Sequence, residues 1–181
     1  CEEMYEALST ILIENLEGMI KAGYHFDGAF LYDDNGYRNG LLFSNEMYKS
    51  QLFNAHKRAC DACHQYGLPV ILHSCGNVTD RVELFIEAGF DCIQPLEAKA
   101  GMDVIELKKL YGDRACFMGN IDVRKMAHPD PAVIEQEIRT KFEAAMPGGG
   151  YIYHSDHSVP DNVSFEQYCR VIELVKKYGQ Y

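Results

Sequence analysis

Short apolar runs alternate with helix-length amphipathic segments along this 181-residue chain, and that alternation leaves few folds open to it. The runs at 26–32, 70–74, 91–96, 115–119 and 151–155 read as strands. Periodic segments at 44–66, 78–88, 103–111, 130–146 and 164–179 read as the helices that follow them. A leading helix over 2–22 carries Met4, Leu8, Ile11, Leu12, Leu16, Met19 and Ile20 at helical spacing, and Gly23 stops it. Ser44, Asp130-Pro131 and Ser164 are helix openers, and Gly67, Gly89, Gly112 and Gly179 are helix stops. Strand–helix units of about 25–35 residues in unbroken succession specify a parallel sheet with crossover helices.

The expectation is therefore a single α/β domain over 1–181. Five units fall short of a closed eight-stranded barrel, which takes about 250 residues. Two architectures remain: an open five-stranded sheet, or the last five β/α units of a TIM (β/α)8 barrel. The chain opens with Cys1 in what already reads as a helix, without an initiator methionine, so it is expected to begin in mid-fold. That favours the incomplete barrel. No Gly-x-Gly-x-x-Gly follows the first strand, which argues against a dinucleotide fold.

Charge and cysteine usage narrow the function. A formal net charge of −10 speaks against nucleic acid and anionic membranes as partners. No apolar run approaches the roughly 18 residues of a membrane span. The acidic start, Cys1-Glu2-Glu3-Met4-Tyr5, is unlike a signal peptide. Seven cysteines, an odd number lying mostly in regular elements, fit a reducing cytoplasm. Cys60-Asp61-Ala62-Cys63-His64 matches a haem-attachment pattern, yet it falls inside an amphipathic helix and reads as core. A piece of barrel with apolar strand edges at both open sides is expected to pair with another copy of itself or to be part of something larger.

Polar, glycine-rich segments follow the strands, and ligand chemistry in α/β folds gathers at strand carboxyl ends. The run Val70-Ile71-Leu72 delivers His73 and Cys75 to such an end. Side chains two apart share a strand face, so an imidazole and a thiol would point the same way, a geometry that suits zinc. A third ligand would come from the last strand, where His154, Asp156 and His157 stand. Glu97 could be a ligand or a proton carrier, and Asp33 and Asp34 could act as substrate-side groups, ligand-orienting groups or proton carriers. Tyr37, Asn77, Gln94, Asn120 and Asp122 occupy the same loops and are candidate substrate contacts. The competing reading for Asp33-Asp34-Asn35-Gly36 and for Gly119-Asn120 is ordinary turn chemistry.

Several segments, in order, resemble the uroporphyrinogen decarboxylase superfamily: His73-Ser74-Cys75-Gly76-Asn77, Glu87-Ala88-Gly89-Phe90-Asp91, Phe117-Met118-Gly119-Asn120-Ile121-Asp122, Gly148-Gly149-Gly150-Tyr151 and His157-Ser158-Val159-Pro160. Asp33-Asp34 through Ser44-Asn45-Glu46-Met47-Tyr48 resembles it too. The resemblance implies a (β/α)8 barrel of which these are the last five units. It also implies one of two activities. The decarboxylases of porphyrin and haem biosynthesis are cofactor-free lyases and typically lack the His-x-Cys pair. The corrinoid-linked methyltransferases hold zinc with His-x-Cys and a third residue on the last strand. His73 and Cys75 match the pair, and His157 stands where the third ligand, usually cysteine, is found. With two imidazoles and one thiolate, the centre would carry a charge of about +1 and be a strong Lewis acid. The expected reaction moves a methyl group between a small donor or thiol and a corrinoid on a partner protein. The alternatives are a metal-free decarboxylase and a non-catalytic corrinoid-protein partner.

Overall fold

A computed structural model describes residues 1–181. The leading helix α1 (Glu2–Lys21) places Glu2 and Glu3 in its first turn and Lys21 in its last, as the helix dipole favours. Five strands then form one sheet: β1 (Ala29–Tyr32), β4 (Val70–His73), β5 (Cys92–Gln94), β6 (Cys116–Met118) and β7 (Tyr151–Ile152). Their spatial order is β1-β4-β5-β6-β7 and every pairing is parallel. The expected architecture is thus the one found: an α/β chain whose five parallel strands form an open part of a barrel.

Alternation within the strands separates two faces. On β4, Val70 and Leu72 are wholly buried, while Ile71 and His73 are partly exposed. The buried face packs on helices α3 (Phe53–Gln65), α4 (Val82–Ala88), α5 (Val104–Tyr111), α7 (Pro131–Ala145) and α8 (Phe165–Tyr178). Phe85, Phe90, Ile93, Phe117, Ile138 and Val171 form its centre. Helix ends follow local chemistry: Ser44 accepts from the Met47 amide at 3.2 Å, Asp130 caps α7 with Pro131 at its start, and Ser164 and Gln167 make a capping box. The apolar stripe of α1 behaves differently. Met4, Leu8, Ile11 and Leu12 remain about half exposed, because α1 rests on α3 through only part of its surface.

Some elements depart from the sequence reading. The segment 44–66 is two helices, α2 (Asn45–Gln51) and α3, separated at Leu52 with φ −120° and ψ −30°. The break buries both Tyr48 and Leu52. Helix 78–88 opens with a 3₁₀ turn, Thr79–Arg81, which aims Arg81 into the interior. There its guanidinium lies between Phe43 and Tyr48 and donates to Asn35 Oδ1 at 2.8 Å. A small hairpin, β2 (Gly36–Tyr37) and β3 (Gly40–Leu41), follows β1, and a short helix, α6 (Val123–Met126), follows β6. Both are too short to leave a periodic signal.

Candidate metal centre at the strand mouths

The register of β1 on β4 places Tyr32 beside His73, and β5 places Gln94 on His73's other side. Continued by one step, the same register brings the residues after Tyr32 alongside those after His73. The Asp33 amide donates to the His73 carbonyl at 2.9 Å, and the Cys75 amide donates to Asp34 Oδ1 at 2.8 Å. Gly76 then turns with φ +80°, where a side chain would strike the backbone of Gly36 and Tyr37. The close contact holds the 73–77 loop against the β2–β3 hairpin.

His73 and Cys75 share a face, and their Nε2 and Sγ atoms lie 3.3 Å apart. Gln94 Oε1 faces the His73 ring at 2.5 Å, so Nδ1 donates there and the Nε2 lone pair turns toward the thiol. Asp34 Oδ1 stands 3.7 Å from His73 Nε2. One ligand atom from each of Asp34, His73 and Cys75 lies within 4.8 Å of the others. This cluster joins a hard oxygen, an imidazole nitrogen and a sulfur, a donor set suited to zinc. Burial, then the negative charges of Asp34 and Glu97, push the Cys75 thiol up to about 11. A divalent cation among these groups would reverse that preference and favour the thiolate.

The pair borders a cavity of about 470 Å³. Its walls include Tyr32, Gln94, Pro95, Tyr153, His154, His157 and Tyr168. The Tyr32 ring lies 4.7 Å from that of His73. Such a space takes a small molecule.

The other sequence-selected residues divide sharply. Gln94 and His157 line the cavity. His157 is exposed, on the loop after β7, and stands outside the three-donor cluster. Tyr37, on the hairpin, is half exposed and does not line the cavity. Glu97 is buried, accepting from the Gly76 amide at 2.7 Å and pairing with Lys99 at 2.9 Å. Asp33 turns away from the cavity, to His56 at 3.1 Å and Asn35 at 2.7 Å. Burial alone would raise its carboxyl, but the His56 hydrogen bond and charge, with Asn35 and Arg81, hold it below its ordinary value. The Asn77 side chain bridges the Thr79 amide and the Ala100 carbonyl. Asn120, wholly buried with φ +70°, donates to Leu96 O and Met102 O and accepts from the Val104 amide. Asp122 caps α6 and binds Arg124. These last three hold loops together and do not line the cavity. Sequence reasoning passed over Tyr32, Tyr153 and Tyr168 as wall residues. Parity along β1, which puts Tyr32 on the same face as Asp34, is the signal that points to Tyr32.

A family model described as uroporphyrinogen decarboxylase (URO-D) matches residues 1–178. The chain belongs to the uroporphyrinogen decarboxylase family. Within that family, the uroporphyrinogen decarboxylase of Pectobacterium atrosepticum is 24% identical over 181 residues, covering 98% of this chain and 48% of that protein. The uroporphyrinogen decarboxylase of Shigella dysenteriae is 24% identical over 168 residues, covering 91% of this chain and 45% of that protein. This family member thus spans about half the length of the curated relatives it matches. Among solved structures, a methyltransferase from Methanosarcina mazei superposes with a TM-score of 0.67 at 18% identity, over 95% of this chain and 48% of that one. At that identity the likeness establishes a shared fold. No helix is long and apolar enough to cross a membrane.

Proposed function

We propose that this member of the uroporphyrinogen decarboxylase family belongs to a methyl-transfer enzyme, with His73 and Cys75 as zinc ligands. The observation that carries the reading is the pair itself: a thiol and an imidazole 3.3 Å apart at a strand mouth, the ring held by Gln94. Zinc, when bound, supplies Lewis acidity, which lowers the proton affinity of a bound thiol or polarises a methyl donor. The protein's residues do the rest. Gln94 fixes the tautomer that turns Nε2 to the metal side, and Tyr32 packs on the ring. The cavity beside the pair receives a small methyl donor or thiol, and its open side admits a corrinoid carried by a partner protein. The fold shared with the Methanosarcina mazei methyltransferase supports this reading.

The test is zinc content together with methyl transfer between methylcobalamin and a thiol in the native protein. The reading expects one zinc per chain and transfer, both lost in Cys75→Ala. Full transfer by a zinc-free protein would refute it. A second reading, a metal-free decarboxylase, draws support from the curated relatives, which are uroporphyrinogen decarboxylases. It expects turnover of uroporphyrinogen that Cys75→Ala leaves nearly unchanged.

A further inference from the structure

We infer that Asp34, rather than His157, is the third protein ligand of the metal centre; the inference rests on the zinc reading above. The argument is one of distances. A tetrahedral zinc with ligands at about 2.0–2.3 Å requires donor atoms separated by ~3.3–3.8 Å. The two measured separations are 3.3 Å from Cys75 Sγ to His73 Nε2 and 3.7 Å from His73 Nε2 to Asp34 Oδ1. Both fall on such edges before any ion is placed. The three donors also close as a set, each within 4.8 Å of the others, and His157 is not part of that set.

The backbone explains why Asp34 stands there. β1 and β4 are adjacent, and their register carries Asp34 alongside Cys75. The Cys75 amide donates to Asp34 Oδ1 at 2.8 Å, which orients the carboxylate and leaves that oxygen, 3.7 Å from His73 Nε2, a second lone pair for a metal. That is the usual support of a metal-bound carboxylate, one oxygen steadied by a backbone donor. Glu97, the other nearby acid, has one oxygen on the Gly76 amide and the other on Lys99. Charge agrees as well. A thiolate and a carboxylate bring a +2 ion to neutrality, whereas a second imidazole in place of the carboxylate leaves it positive. The Asp34 side chain is 57% exposed, so this ligand sits at the solvent edge while His73 and Cys75 sit deeper.

The experiment measures zinc affinity by competition with a chromophoric chelator, and the absorption of the cobalt(II) form, in five proteins. These are the wild type, Asp34→Ala, Asp34→Asn, His157→Ala and His73→Ala. Asp34→Ala is expected to weaken zinc by about 100-fold and to keep the sulfur-to-cobalt charge-transfer band, because Cys75 still binds. Asp34→Asn keeps an acceptor for the Cys75 amide, so it should melt like the wild type and still bind zinc at least tenfold more weakly. His157→Ala should stay within about twofold of the wild type. Wild-type affinity in both Asp34 variants, with zinc still lost in His73→Ala, would overturn this assignment alone. A wild type that takes up no zinc would overturn the zinc reading and this assignment with it.

Discussion

The mouths of β1 and β4 and the mouths of β5, β6 and β7 are equally polar and look alike in sequence, yet they do different work. At the first pair, Asp34, His73 and Cys75 turn their donor atoms toward one another. At the second group, Asn120 donates to the Leu96 and Met102 carbonyls and accepts from the Val104 amide, and Asp156 accepts from the amides of Val123 and Ala98 at 3.0 Å each. Those side chains replace backbone hydrogen bonds that irregular loops cannot make for themselves. A polar residue at a strand end is therefore informative only once its hydrogen bonds are traced. Where backbone groups take up all of its polar atoms, it is scaffold; where an atom still faces other donors across the mouth, it is a candidate for chemistry.

The comparison breaks first at Cys75. If the β1–β4 mouth is chemical and not structural, Cys75→Ala should abolish zinc uptake, a loss of about 1,000-fold or more in affinity. Its melting temperature should change by only a few degrees, since the thiol is only partly buried. Calorimetry with and without zinc reads both numbers. A large fall in the metal-free melting temperature would mean that the cysteine is core. Asn120 is the reverse case. Asn120→Ala leaves two carbonyls and one amide without partners and forces alanine into a left-handed backbone. The expected cost is about 3 kcal/mol, seen as a lower denaturation midpoint, with zinc stoichiometry intact in the folded fraction. Loss of zinc at unchanged stability would move Asn120 from scaffold to site.

The sequence disclosed the succession of elements better than their ends. All five strands appear where apolar runs stand, because each run is bounded by a glycine or proline and packs a core face. The strands end early, as at Ile152 in β7, since the residues beyond them take irregular backbone to build the mouths. The pair His73 and Cys75 was legible from parity alone. Parity also divides Asp33 from Asp34: Tyr32 and Asp34 share one face, while Asp33 points the other way, to His56. What stayed hidden was long-range. Nothing in the chain near Asn77 announces the Ala100 carbonyl 23 residues away, and nothing near Asp33 announces His56 or the buried Arg81 that holds Asn35.

A sharper test uses Gln94, which belongs to β5 by sequence and to the β1–β4 mouth by contact. Gln94→Leu keeps the bulk and removes the acceptor from His73 Nδ1. The ring can then adopt the other tautomer and turn its donor to the wrong side. Zinc affinity should fall by about 10- to 100-fold, with little change in stability. An unchanged affinity would show that the ring is positioned by Tyr32 and the backbone alone.

The smallest effect concerns Asp33, the neighbour of the proposed ligand Asp34. Its carboxyl titrates below the ordinary value of about 3.9 in the folded protein, because His56, Asn35 and Arg81 outweigh its burial. The sign follows from linkage: the unfolded chain binds this proton first as pH falls, so the stabilisation is present above pH ~4 and fades as pH drops through the lower folded value. Asp33→Asn should remove that contribution, giving a shallower loss of stability as pH falls below about 4. The side chain is 36% exposed, so solvent screening limits the difference to less than about 1 kcal/mol. Denaturant unfolding of both proteins across that range measures it, and zinc affinity near neutral pH should stay within twofold of the wild type. If instead the affinity fell as far as in Asp34→Ala, the two aspartates would act as one unit, and the separation drawn here between adjacent residues would fail.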